Sequence, residues 1–207
     1  MSGITGEGGV CGPSAALTRC YWQGRYREGS TGWDRGAPSP TLAGWLRDGA
    51  LAPCRILVPG CGRGHEVVAL ARAGFDVTGL DYAPAAVSAA RERLAADRLP
   101  AEILEVDLFA YAPEHPFDAV YEQTCLCALE PGRWEAYERL LAAWVAPRGI
   151  LAAAFMQTAS PQGPPFACPP ERMRELFAAE RWEWPVALVA VPHPTGLEEL
   201  TGILRRR

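Results

Sequence analysis

The sequence has no long apolar stretch, few histidines and no excess of positive charge. No apolar run approaches the ~20 residues of a membrane span, and the first residues lack the basic start and apolar block of a secretion signal. We therefore predict a cytoplasmic protein without a membrane partner. The formal net charge of −4 argues against nucleic acid as a partner, because binding to phosphates relies on Lys and Arg.

The number and spacing of the cysteines argue against two further classes of protein, disulfide scaffolds and zinc-binding proteins. There are seven cysteines, an odd number, and their spacing is typical neither of a disulfide scaffold nor of a paired C-x-x-C zinc site. Cys125 and Cys127 form a C-x-C pair, which we interpret as reduced thiols in a cytosolic core. We predict no metal site.

The 207 residues suit one domain rather than two. Residues 1–14 are glycine-rich without periodicity and are expected to form a flexible leader, and residues 15–207 to form the domain. No internal repeat interrupts this stretch.

Strand and helix patterns alternate from residue 55 onward. Strands are predicted at residues 55–59, 76–81, 102–106, 117–122, 150–157, 183–191 and 197–205, and helices at 65–73, 84–97, 131–145 and 170–180, after two short helices at 15–29 and 41–48. This order predicts a Rossmann-like α/β fold: a seven-stranded, mostly parallel sheet with helices on both faces and an N-terminal helical cap. Ligands bind such sheets beyond the carboxyl ends of the strands, where the strand order reverses.

Polar or glycine-rich groups follow four of these strands. The stretch "RILVPGCGRGHE" (residues 55–66) ends the first strand in three alternate glycines, Gly60, Gly62 and Gly64, and acidic residues stand at or just past three other strand ends. These acidic residues are Asp81, Asp107 and Glu122. All four strand ends are expected to meet at one crevice.

The glycine spacing discriminates between nucleotides. A phosphate-binding P-loop needs Lys and Ser or Thr after its last glycine, and none follows Gly64. A dinucleotide site needs G-x-G-x-x-G, whereas the spacing here is G-x-G-x-G with His65 at the expected third glycine. The pattern therefore favours S-adenosylmethionine, and an NAD(P)-dependent oxidoreductase remains the alternative.

Two of the acidic residues have a structural alternative. Asp81 could accept hydrogen bonds from the ribose hydroxyls, or it could cap the helix that begins at Ala83 or Pro84. Asp107 could accept from the adenine amino group, with Leu108 covering the ring, or it could be a turn aspartate.

Five segments resemble the thiopurine S-methyltransferase family of class I S-adenosylmethionine-dependent enzymes, whose members include thiol, thiocyanate and halide methyltransferases. The segments are "YWQGRYREGSTGWDRGAPSP", "VPGCGRGHEV", "GLD", "FDAVYEQTCLCALEP" and "GPPF". The resemblance implies a cap at residues 15–50, a cofactor-binding core at 54–160 and an acceptor-side loop with C-terminal strands at 161–207. It also implies a small-molecule acceptor and a monomer.

The resemblance further implies a set of site residues. Cofactor binding is expected at Trp22, Tyr26, Trp33, Gly60, Cys61, Gly62, Gly64, Asp81, Tyr82, Asp107, Leu108, Glu122 and Gln123, and acceptor alignment at Gln123, Thr124 and Phe166. Thiopurine-specific members of the family carry an arginine where Gln123 stands, which argues against a thiopurine acceptor.

The sequence contains no clear general base. For His65, His115 and His193 we predict surface or capping roles. A thiol with a pKa of about 8.5 is already a few per cent thiolate at neutral pH, whereas a hydroxyl needs a base. We therefore expect methyl transfer to a soft nucleophile such as a thiol, sulfide or halide, with a non-catalytic cofactor-binding module as a further alternative.

Overall fold

The computed structural model describes residues 17–207, so the predicted leader at 1–14 lies outside the described residues. The elements in chain order are α1 Arg19–Arg27, α2 Pro40–Arg47, β1 Arg55–Pro59, α3 His65–Arg72, β2 Asp76–Asp81, α4 Pro84–Asp97, β3 Glu102–Glu105, β4 Phe117–Gln123, α5 Trp134–Trp144, β5 Val145–Gln157, α6 Pro170–Leu176, β6 Trp182–Glu183, β7 Val189–Pro192 and β8 Glu198–Arg206. Short 3₁₀ turns lie at Leu108–Ala110, Leu126–Ala128 and Pro131–Arg133.

The strands form one sheet in the order β3-β2-β1-β4-β5-β8-β6, and β7 also pairs with β8. The pairs among β1 to β5 are parallel, and the three pairs made by β8 are antiparallel. The predicted Rossmann-like α/β fold with a mostly parallel sheet is confirmed. The strand order reverses at β1, between β2 and β4, and this places a crevice at their carboxyl ends.

The predicted number of strands is wrong, because residues 17–207 form a sheet of eight strands. The expected strand at 183–191 is two short strands, which pair with opposite ends of β8. Pro185 lies between them, and proline has no N–H to donate to a ladder. The side chains of Pro185 and Leu188 instead fold over Gly202, where an added Cβ would lie 3.0 Å and 2.6 Å from them.

Apolar side chains fill both faces of the sheet. The predicted stripe of α5, including Trp134, Tyr137 and Trp144, is buried on one face, and α3 and α4 bury Val67 and Val87 on the other. Burial of a large apolar side chain contributes roughly 1.5–3 kcal/mol, so these helices are fixed against the strands whose ends form the site. None of the helices within residues 17–207 combines the length and apolar character that crossing a membrane requires.

Candidate active site

A pocket opens at the carboxyl ends of β1, β2 and β4. Most of the predicted site residues line it: Trp22, Tyr26, Trp33, Gly60, Cys61, Gly62, Asp81, Tyr82, Asp107, Leu108, Gln123 and Thr124. Gly64, Glu122 and Phe166 do not line it. We call Gly60, Gly62, Asp81 and Asp107 the strand-end side of the pocket.

The turn after β1 requires glycine for both conformation and space. Gly60 and Gly62 have φ angles of 60° and 55°. A Cβ on Gly60 would lie 3.0 Å from Sγ of Cys125, and one on Gly62 would lie 3.0 Å from the Tyr26 hydroxyl. Glycine at these two positions therefore lets Cys125 and Tyr26 pack directly against the turn.

Asp81 connects this turn to the next helix. Its Oδ2 accepts the Gly62 N–H at 2.9 Å, and its Oδ1 accepts the Ala83 N–H at 2.9 Å. Burial raises its pKa to about 6, although these backbone N–H groups favour the ionised form. Each carboxylate oxygen keeps a second lone pair, so the cap role that we predicted for Asp81 leaves room for a ligand.

Gly64 has a different position from its neighbours. It caps α3 with a φ of 76°, and an added Cβ would lie 2.8 Å from the Cβ of Ala90 in α4. Gly64 therefore permits α3 and α4 to pack closely, and it lies outside the pocket.

Asp107 forms the turn that was its structural alternative. Its Oδ1 accepts the Phe109 N–H at 2.9 Å and caps the 3₁₀ turn that begins with Leu108. Both Asp107 and Leu108 face the pocket, and a contact with adenine stays a prediction.

Aromatic rings of the cap surround the pocket mouth. Trp33 lies edge-on to Trp22 and Tyr26, with ring centroids 5.4 Å and 5.9 Å apart. The Arg25 guanidinium lies 5.6 Å from the Trp33 ring centroid. These electron-rich faces favour a cation beside them.

Polar contacts attach α1 to the core. The Tyr82 hydroxyl donates to the Leu17 carbonyl at 3.0 Å, and the Ala85 N–H donates to Oε1 of Gln23 at 2.9 Å. The latter bond satisfies a free N–H at the start of α4, where helices leave donors without internal partners.

The loop between α1 and α2 is held on the glycine turn through Asp34. This carboxylate pairs with Arg63 at 3.1 Å and lies 3.0 Å from Nε2 of His65, whose pKa burial lowers. The side chain of His65 is only 10% exposed, so it contacts the loop rather than solvent.

A second part of the pocket is built from segments that are distant in the sequence. Arg35, Gln123 and His193 line it, and the buried Glu199 binds two of them without lining the pocket itself. We call these four residues the hairpin side, after the β7–β8 hairpin. Gln123 accepts the Tyr121 hydroxyl at 2.7 Å and donates to both carboxylate oxygens of Glu199 at 3.0 Å and 3.2 Å. Glu199 is fully buried and also pairs with Arg35 at 3.0 Å. One carboxylate thus joins β8, β4 and the cap loop.

His193 is buried, so the predicted surface position is wrong. Only 5% of the surface of His193 is exposed to solvent. The residue lies in the turn between β7 and β8 and lines the pocket. Nδ1 lies 2.7 Å from Oγ1 of Thr195, and Nε2 has no hydrogen-bond partner among residues 17–207. Burial and the charge of Arg35 lower the pKa of His193 to about 4. His115 is exposed, as predicted.

Glu122 points away from the pocket because alternate side chains of a strand face opposite sides of the sheet. Its Oε1 accepts the Leu126 N–H at 2.6 Å, whereas Oε2 has no partner in the part of the chain that the structure describes. Burial raises its pKa to about 7. Glu122 does not line the pocket, and its contact with the cofactor stays a prediction.

Phe166 does not form the expected pocket wall. Its N–H donates to the Cys127 carbonyl at 2.8 Å, and its ring folds so tightly on Gly163 that an added Cβ there would lie 2.5 Å from it. Pro164 and Pro165 of the same loop line the pocket in its place.

The cysteines are mostly buried thiols. Cys54, Cys61, Cys125, Cys127 and Cys168 are free, and burial raises the pKa of each. Cys20 is disulfide-bonded, which the cysteine spacing did not indicate. Across residues 17–207, no three His, Cys, Asp or Glu side chains form a group that could hold a metal ion.

Comparison with known proteins identifies the family. Residues 17–191 match the family model described as thiopurine S-methyltransferase. A probable thiol methyltransferase 2 of Arabidopsis thaliana is 37% identical over 54% of this chain and 50% of its own length. Thiocyanate methyltransferase 1 of Brassica oleracea is 30% identical over 70% of this chain and 66% of its own. The chain thus spans about half to two thirds of the length of these curated relatives.

A solved structure agrees in fold. The 1,6-didemethyltoxoflavin-N1-methyltransferase of Burkholderia thailandensis, crystallised with S-adenosylhomocysteine, has a TM-score of 0.77 over 95% of this chain and 93% of its own, at 20% identity. The family match covers most of the described chain, and the fold and the strand-end pocket agree with it. The chain belongs to the thiopurine S-methyltransferase family of S-adenosylmethionine-dependent methyltransferases.

Proposed function

We propose that this protein transfers a methyl group from S-adenosylmethionine to a small soft nucleophile such as a thiol or sulfide. The observation that carries the proposal is the bond from Gly62 to Asp81, which holds a glycine turn and a strand-end carboxylate together at the reversal of the strand order. The names of the relatives support the acceptor class, since they include thiol and thiocyanate methyltransferases.

The residues present fit this cofactor. The glycine turn lines the pocket at Gly60 and Gly62, and the absence of a Cβ lets Cys125 and Tyr26 pack directly against its backbone. Asp81 retains lone pairs for two ribose hydroxyls, and the rings of Trp22, Tyr26 and Trp33 suit a cation. In this proposal Asp107, Leu108 and Tyr82 lie along the adenosine, and Thr124 lies near the reacting groups. When bound, S-adenosylmethionine supplies a methyl group on a positively charged sulfur.

The protein contributes alignment and a dry site. Correct orientation of two reactants lowers a barrier by on the order of 7–11 kcal/mol without any acid or base. An aromatic face near a cation contributes roughly 0.5–2 kcal/mol. The cap rings and the cap loop, attached through Asp34 and Arg35, are placed to exclude water from the pocket.

The acceptor side supports a soft nucleophile. Two histidines, His65 and His193, line the pocket. The lowered pKa of His193 makes its ring a weak base. Gln123 offers an uncharged amide that is already bound to Tyr121 and Glu199, so the position that holds an arginine in thiopurine-specific relatives presents no cation here. We propose a small acceptor, no nucleic acid, and a cytoplasmic monomer.

Calorimetry with S-adenosylhomocysteine tests the cofactor site. We expect micromolar binding, and we expect Asp81→Ala to weaken it by about 100-fold, because two hydrogen bonds to a charged group are lost. Asp97→Ala is the matched control, since Asp97 at the end of α4 is partly exposed, pairs with Arg72 of α3 and does not line the pocket. Equal affinity of the two variants would contradict the role of Asp81.

An acceptor panel with labelled cofactor tests the transfer. Small thiols, sulfide, iodide and thiocyanate are expected to be methylated, and alcohols are not. Methylation of alcohols alone would refute the soft-nucleophile proposal. Stabilisation by NAD in place of S-adenosylhomocysteine would favour an oxidoreductase, and cofactor binding without transfer would favour a non-catalytic module.

A further inference from the structure

The ring of His193 is held rigidly at the pocket. The backbone N–H of His193 donates to the Leu197 carbonyl at 2.9 Å, and the backbone carbonyl of His193 accepts the Gly196 N–H at 3.0 Å. These two bonds fix the backbone of the turn between β7 and β8. The surface of His193 is almost fully buried. A buried ring in a closed turn has little freedom to reorient, and its two nitrogens therefore keep fixed directions.

The contacts of Nδ1 favour one tautomer of the ring. The backbone N–H of Thr195 lies 3.4 Å from Nδ1, and the hydroxyl of the same residue lies 2.7 Å away. A backbone N–H can only donate, so Nδ1 acts as the acceptor. The single ring proton of a neutral imidazole is then on Nε2.

The surrounding charges keep the ring neutral. Arg35 approaches from the cap loop, and burial together with its charge lowers the pKa of His193 to about 4. Glu199 on β8 faces the same cluster but is paired with Arg35 at 3.0 Å and bonded to Gln123. At pH 7 the ring therefore presents an Nε2–H donor rather than an imidazolium.

This donor has no acceptor in the part of the chain that the structure describes. A buried donor without a partner costs free energy, and such groups in folded proteins are rare outside functional sites. Because His193 lines the pocket, a bound molecule that accepts a hydrogen bond would satisfy Nε2–H.

We propose that His193 binds the methyl acceptor as an anion, a thiolate, hydrosulfide, thiocyanate or halide, and positions its nucleophilic atom through Nε2–H. This rests on the proposed methyl transfer. The anion's lone pair forms the new bond to the methyl carbon, while the electrons of the broken carbon–sulfur bond stay on the departing sulfur. No proton moves to the protein, because the acceptor has lost its own to solvent beforehand.

The same chemistry argues against a base. A ring that is neutral, with its free nitrogen already protonated, has no lone pair to offer at the pocket. A thiol has a pKa of about 8.5, far above that of His193, so the equilibrium for proton transfer is unfavourable. The pocket therefore selects acceptors that ionise without help.

Kinetics of His193 variants test the positioning role. We expect His193→Ala to raise KM for thiocyanate and for a small thiol by about tenfold, since a hydrogen bond to an anion is lost, while the Kd of S-adenosylhomocysteine is unchanged. His193→Gln, which keeps a donor near Nε2, should recover most of the loss. His115→Ala, at an exposed site, is the control. Unchanged KM in His193→Ala would overturn the proposal.

The pH profile separates a donor from a base. For the thiol, kcat/KM should rise with the ionisation of the thiol itself, and for iodide it should be flat between pH 6 and 8. A rise with a midpoint near pH 6–7 that His193→Gln abolishes would show a base and overturn the proposal.

Nitrogen NMR of the histidine rings gives a readout independent of turnover. In protein saturated with S-adenosylhomocysteine we expect a neutral His193 with the proton on Nε2 at pH 7, and a shift of that resonance on adding iodide. A proton on Nδ1, an imidazolium, or no response to iodide would overturn the proposal while leaving methyl transfer intact. Absence of S-adenosylhomocysteine binding would instead refute the proposed function, and this inference with it.

Discussion

The two sides of the pocket are built in different ways. On the strand-end side, Asp81 bonds to the backbone of Ala83 and of Gly62, which are 2 and 19 positions away. On the hairpin side, Glu199 bonds to side chains 76 and 164 positions away. The first side is fixed by strand register and backbone geometry. The second side exists only once distant side chains have met, so it depends on the completed fold.

A single substitution should therefore destabilise the hairpin side more than the strand-end side. Glu199→Ala leaves the Arg35 side chain, which is 13% exposed, without its counter-charge. We expect a loss of about 3 kcal/mol in the free energy of unfolding, measured by urea denaturation, together with a raised KM for the acceptor. Glu198→Ala, at the exposed neighbouring position, is the control. Equal stability of the two variants would remove the distinction between the sides.

Next to the strand-end side, where Gly64 caps α3 outside the pocket, we expect a smaller loss from Gly64→Ala. The added Cβ would lie 2.8 Å from Cβ of Ala90 at a φ of 76°, and we expect a loss of about 2 kcal/mol from overpacking and backbone strain. Gly29→Ala has a similar φ of 66° but no heavy atom of residues 17–207 within 4 Å. Thermal denaturation of both variants should therefore separate packing from strain. Similar melting temperatures would show that α3 and α4 adapt to the methyl group.

The smallest expected effect concerns pH. The pKa of Asp81 is raised to about 6, so this carboxylate becomes mostly protonated below pH 6. If ribose hydroxyls bind the ionised form, affinity for S-adenosylhomocysteine should fall by about fivefold between pH 6 and pH 5, because the ionised fraction of Asp81 falls by that factor. Calorimetry on the wild type and on Asp81→Asn, which should show weak binding without this pH dependence, would test it. A flat wild-type profile would contradict the assignment.

The fold could be predicted from the sequence because its signals are local. The period of α5 and the alternation of strands with helices indicated the sheet and its layers, and the family segments agreed. The error at 183–191 came from apolar residues that read as one strand. Pro185 interrupts the pairing there, and the folding of Leu188 over Gly202 is a tertiary contact that no window of sequence contains.

The site could likewise be predicted where its signals are local in the sequence, but not where it depends on tertiary contacts. Gly62 and Asp81 could be placed because each follows a strand, and strand ends of a parallel sheet share one edge. Glu122 does not line the pocket although its strand neighbours Tyr121 and Gln123 do, because one position along a strand moves a side chain to the other face. His193 lies in a proline-flanked turn, which is typical of exposed loops, and only the docking of Arg35 and Glu199 around it explains its burial.

The thiols that border the pocket have a consequence for the methyl transfer that we propose. Cys61 and Cys125 both line the pocket, and thiolate is the form of cysteine that attacks an electrophile. Burial raises the pKa of both, so almost none of either is ionised at neutral pH. Cys127 lines the pocket as well, and burial raises its pKa too. A methylating cofactor bound here would lie beside protonated, weakly nucleophilic thiols, so alkylation of the protein itself between turnovers would be slow.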